Sequence, residues 1–124
     1  MQGLTDYWLM SDKFDYEDGS AHVIADIPAG TLVIDALCVI TTPFAGTSPT
    51  VDIGDGDGAD DWVDNGDVTE GTAGSYRGTS GNGAAYSATG KYYTSAGQIK
   101  VTIGGTNLSA GEGYALLHCV KLPL

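Results

Sequence analysis

From His22 to Thr42 the chain reads HVIADIPAGTLVIDALCVITT, two runs of β-branched and aliphatic residues separated by Pro28-Ala29-Gly30. Proline presets φ and glycine accepts positive φ, so this break predicts a hairpin or a corner between two strands. Period-two alternation in the second run puts Leu32, Ile34, Ala36, Cys38 and Ile40 on one face. Val33, Asp35, Leu37 and Val39 fall on the other. Both faces are largely apolar, which places the strand centrally in a sheet. One face meets a core; the other meets a loop, an arm or a neighbouring subunit.

Further strands are predicted at Thr50–Ile53, Lys91–Thr94, Gln98–Gly104 and Tyr114–Leu122, with Ile99, Val101 and Ile103 pointing inward. The segment GGTNLSAGEG between the last two reads as a turn cluster, and the glycine-rich stretch 71–90 as a long loop. No window shows apolar residues at helical spacing with caps. The pattern therefore predicts an all-β chain, an antiparallel β-sandwich of jelly-roll type with six to eight short strands and long Gly/Asp loops. Residues 21–124 form the sandwich. Residues 1–20, with Tyr7, Trp8, Phe14 and Tyr16 scattered among acids, read either as an N-terminal arm or as a cap on the domain's own core.

At 124 residues one hydrophobic core is expected. Nineteen glycines without a three-residue period fit strands joined by many turns. Thirteen Asp and three Glu against five Lys and Arg give a net charge of −11, a field that repels phosphate backbones and anionic lipid. Nucleic acid and membrane are excluded as partners on that ground. No apolar run approaches the roughly 20 residues of a membrane helix. The opening MQGLTDYW lacks the basic and apolar blocks of a signal peptide, which predicts synthesis in the cytoplasm. Cys38 and Cys119 sit in apolar runs without metal-ligand spacing and read as two buried thiols, or as a disulfide if their strands are neighbours.

Candidate chemistry concentrates in VDIGDGDGADDWVDNGD, residues 51–67, where seven of seventeen residues are aspartate. Calcium is the sharp reading, with Asp55, Asp57 and Asp60 as ligands, but the helix-loop-helix template fails at its fifth and sixth positions. Solvated turn acids are therefore the favoured reading, and they leave no metal or other cofactor. Exposed adjacent aspartates stay ionised, so glycosidase chemistry lacks its general acid. Trp62 offers a sugar platform or folds back onto its own sheet. His22 and His118 have no zinc or triad spacing, and Gly54, Gly56 and Gly58 are not followed by the Lys-Ser/Thr of a phosphate loop. Tyr76, Tyr86, Tyr92 and Tyr93 in a Gly/Ser-rich setting suit a recognition loop, or pin that loop to the core. None of these features defines an enzyme.

IPAGTLVID (27–35), TTPFAG (41–46) and VDIGDGDGADDW (51–62), followed by a glycine-rich excursion and a final apolar strand, resemble the small capsid decoration, or cement, proteins of tailed bacteriophages. The likeness spans residues 20–122. It implies a homotrimer on the exterior of the virion that bridges neighbouring copies of the major capsid protein, with no enzymatic activity and no cofactor. On that reading Tyr7, Trp8, Phe14, Val33, Leu37 and Val39 are the interface candidates. The rival is a glycan-binding or fibre-tip module using Trp62 and the loop tyrosines, with calcium held by the aspartates.

Overall fold

The computed structural model describes residues 3–123. Its strands in chain order are β1 (Thr5–Met10), β2 (Phe14–Asp15), β3 (His22–Ile27), β4 (Thr31–Gly54), β5 (Gly74–Arg77), β6 (Lys91–Tyr93) and β7 (Gly97–Lys121). Every pairing is antiparallel and all seven strands belong to one sheet, as the all-β reading requires. Among the described residues, helical backbone is confined to the short 3-10 segments η1 (Asn65–Asp67) and η2 (Ser80–Asn82) and a four-residue turn, α1 (Tyr86–Thr89).

β4 and β7 dominate the sheet. They pair from Thr31↔Lys121 to Gly54↔Lys100, so the runs 31–42 and 50–53 form one strand, and 98–104 and 114–121 form another. A straight strand of 24 residues would run roughly 80 Å at about 3.3 Å per residue. This one folds back until its ends meet. Asp55, just past the end of β4, accepts a hydrogen bond from the Tyr93 hydroxyl at 3.0 Å, and Tyr93 pairs with Thr31 at the start.

Four register shifts between Ile40 and Thr50 produce the fold-back, because each unpaired residue bends its strand and raises the twist. Ser48 and Asn107 hold positive φ there, at 50° and 53°. The predicted turn cluster at 104–113 is thus a bend within a continuing ladder, Ala45↔Ala110 and Thr47↔Thr106 lying inside it. The two halves of the bent ribbon close on one core. Val33, Ala36, Cys38 and Ile40 meet Val51, Ile53, Ile99 and Val101 there, and Ala115, Leu117 and Cys119 complete it.

Three expectations are refined. The Pro28-Ala29-Gly30 break is a corner, since β3 pairs with β7 and not with β4; Gly30, at φ +82°, donates its N–H to Tyr93 O at 2.7 Å. The alternation expected over 32–40 is broken by a bulge between Val33 and Asp35. Val33 therefore turns into the core at 0% exposure while Ile34 is 39% exposed, and Ala36, Cys38 and Ile40 resume the inward phase. The described part of the N-terminal segment is built into the sheet: β1 and β2 both add to β7, and Phe14 is fully buried over Gly113, 6.4 Å from the Phe44 ring.

Candidate functional site

Cross-strand registers assemble an outer face on the first half of the ribbon. Inward Ala115, Leu117 and Cys119 leave Tyr114, Leu116 and His118 pointing outward on β7, and inward Ala36, Cys38 and Ile40 leave Asp35, Leu37 and Val39 outward on β4. One row across the sheet runs Met10, Leu116, Leu37, Arg77; the next runs Trp8, His118, Asp35. Trp8 is 51% and Met10 63% exposed, and the Trp8 ring stacks on His118 at 4.8 Å and 15°. Leu116, Leu37 and Val39 are half-buried. The charges on this face are few and partly matched: Arg77 binds Asp35 at 2.7 Å, and Asp6 lies 3.6 Å from His118.

The outer face of the second half differs in kind. There Thr50 and Asp52 of β4 lie beside Gly104 and Thr102 of β7, with Lys100 and Gln98 beyond. A sandwich with one polar and one apolar outer face has a side suited to water and a side suited to another surface.

Of the six interface candidates, Trp8, Leu37 and Val39 lie on the apolar face. Tyr7, half-buried on β1, packs towards the core, while Phe14 and Val33 are inside it and reach no outer surface. Met10, Leu116 and Ile34 were not among the interface candidates. The signal was present in LTDYWLM, where Leu4, Trp8 and Met10 share one parity, but Tyr7 and Leu9 are apolar too and mask the period.

The aspartate loop is latched to the core. Asp55, with its side chain 2% exposed, binds Lys91 Nζ at 2.5 Å and accepts from Tyr93; Tyr93 in turn accepts from the Trp62 indole N–H at 3.2 Å. Lys91 also reaches Asp57 at 3.3 Å and the Tyr86 hydroxyl at 3.1 Å, with the Tyr86 and Tyr93 rings each 4.8 Å away. Trp62 is fully buried, which removes it as a sugar platform.

The calcium trio is split by this latch. Asp55 and Asp57 face Lys91, whereas Asp60 sits with Asp52 and Asp64, carboxylate oxygens within 4.8 Å of one another. Asp64 is committed to capping η1 through Gly66 N–H, and Asp52 accepts from Asn65. A hydrogen bond with Asp64, then burial, raises the Asp60 carboxyl above the ordinary aspartate range; burial raises Asp52 likewise. Among the described residues each imidazole–carboxylate pair has one exposed member, His22 beside Asp18 at 3.8 Å and Asp6 beside His118. Cys38 and Cys119 are free and buried, and burial pushes the Cys38 thiol up to about 12, far from a reactive thiolate. No helix among the described residues is long and apolar enough to cross a membrane.

No family model matches the chain, and no curated protein matches its sequence. Solved structures do. A chain of the capsid asymmetric unit of cyanophage Pam1 superposes with a TM-score of 0.70 at 14% identity, covering 98% of this chain and 90% of that one. A chain of the acidic stable capsid of Helicobacter pylori bacteriophage KHP30 superposes with a TM-score of 0.64 at 17% identity, covering 96% and 89%. At these identities the likeness is one of fold, and it runs nearly end to end.

Proposed function

We propose that this chain is a structural component of a phage virion, a decoration protein that docks on the outside of the shell and cements neighbouring copies of the major capsid protein. One observation carries the reading: a fold shared almost end to end with chains from two phage capsids presents an apolar outer face centred on Leu37, Leu116 and Trp8. The acids are concentrated elsewhere, in the 51–67 loop and the 12–18 segment. On the particle they face solvent or basic patches of the shell.

The mechanism is mass action. A protein that binds only the assembled shell raises the cost of rupture by its binding free energy, and many weakly bound copies act together. Nothing in it requires a bond to form or break. Mixing the purified chain with undecorated shells and sedimenting them is the test. Co-sedimentation of wild type and its loss in Leu37→Lys/Leu116→Lys are expected; a wild-type chain that stays in the supernatant over shells of its own phage refutes the reading.

A further inference from the structure

Besides the two-residue β2, the strands β1, β3, β5 and β6 each pair with a single neighbour, and three of these edges are blunted. β3 carries a bulge between Val23 and Ala25, the charge of Asp26, and Pro28 just beyond it. β5 is four residues long and β6 only three, with Arg77 and Lys91 respectively. Short length, bulges, charge and proline are the devices by which sheets avoid edge-to-edge association. β1 has neither a bulge nor a proline. It runs six residues in unbroken register against β7, contains no glycine, proline or lysine, and has Asp6 as its one charge. Among the described residues nothing pairs with its other side. It also bears Trp8 and Met10, and Leu4 just before it is 59% exposed.

We propose that β1 is a self-association edge, on which β1 of a second copy adds as an antiparallel strand across a twofold axis at Trp8. Residues directly opposite each other must share a sheet face, so the two strand numbers in each pair sum to an even value. A sum of sixteen sets Trp8 against Trp8 of the second copy, Tyr7 against Leu9, and Asp6 against Met10. This arrangement stacks aromatics at the axis and keeps the two Asp6 carboxylates apart. The charge of −11 argues for the same place. Two copies repel wherever acids face acids, and the single acid of β1, Asp6, is set opposite Met10 in this register. A basic partner strand would find its complement at the aspartate loop instead. The inference goes beyond the capsid reading and is measured without shells.

Light scattering of the purified chain should give twice 12.7 kDa, and Trp8→Lys, folded by circular dichroism, should return it to the single-chain mass. Under mild oxidation Trp8→Cys should cross-link to a dimer, because opposed Cα atoms lie about 4.5–5.5 Å apart, within disulfide reach. Asp6→Cys, offset by four residues from its counterpart, should not, and buried Cys38 and Cys119 stay silent. A single-chain mass for the native protein, cross-linking through position 6 in place of 8, or a threefold mass without the Trp8→Cys link overturns the proposal.

Discussion

The Trp62 indole N–H donates to the Tyr93 hydroxyl at 3.2 Å, and that hydroxyl donates onward to Asp55 at 3.0 Å. The relay joins an entirely buried ring of the aspartate loop to β6, the strand that ends beside Thr31, and so ties the loop to the core. Removing the middle oxygen leaves a buried donor and a nearly buried carboxylate each short of a partner. Tyr93→Phe should therefore lose about 1–3 kcal/mol, the usual cost of an orphaned buried polar group. Urea unfolding checks it. An unchanged midpoint would mean that solvent reaches the gap.

Lys91 is the cation of the same latch. Burial alone would lower its pKa, but the hydrogen bonds to Asp55 and Tyr86 more than reverse this and hold the ammonium above its ordinary range. Lys91→Met leaves Asp55 uncompensated. Loss of one partner from a buried pair costs about 3–5 kcal/mol, and since the Lys91 side chain is one-quarter exposed the lower end applies. A raised lysine pKa contributes stability that is complete below the unfolded value near 10.4 and vanishes as pH climbs through the folded one. The gap between wild type and variant should thus stay constant from pH 6 to 9 and narrow above about pH 10.4. Chemical denaturation along that pH series gives the answer.

The other carboxylates of this region predict the opposite of ordinary acid denaturation. Burial raises Asp52, Asp61 and Glu70, and the contact with Asp64 followed by burial raises Asp60. Groups whose folded pKa lies above the unfolded value near 4 stabilise the protein at low pH, and that contribution is lost as pH rises through the folded value. Asp67 and Glu112, which their hydrogen-bond partners hold below the usual range, act in the reverse sense only in stronger acid. Melting temperature should rise as pH is lowered from neutral towards the unfolded carboxyl value near 4 and fall again in stronger acid. Asp60→Asn, which removes the like-charged contact and spares the Asp64 cap, should raise stability at neutral pH and lose that advantage as pH falls towards the unfolded carboxyl value near 4.

Strand composition was legible because burial on one face imposes period two; Ile99, Val101 and Ile103 point inward as their alternation predicts. What alternation cannot show is a bulge. The extra residue at Val33–Asp35 exchanges the faces of Val33 and Ile34, and no residue type there announces it. The same blindness split β4 and β7 in two, since glycine and proline at 43–49 and 104–113 signal a turn whether the ladder stops or merely bends. The latch was invisible for another reason: Lys91 and Asp55 are 36 residues apart, and only the fold-back joins them. Trp62 was legible as a choice between two places, which burial against Tyr86 and Tyr93 decides.

Thr31 shows where the core has stability left to gain. It is fully buried at the seam where β4 pairs with β6 on one side and β7 on the other, and its hydroxyl has no hydrogen-bond partner among the described residues. A buried hydroxyl that surrenders water without replacement costs about 1–3 kcal/mol. Valine has nearly the same shape and keeps the β-branched preference for a strand. Thr31→Val should consequently raise the unfolding free energy by about 1 kcal/mol, with an unchanged denaturant slope marking an effect on the native core. A loss of stability would show that the hydroxyl is bonded after all.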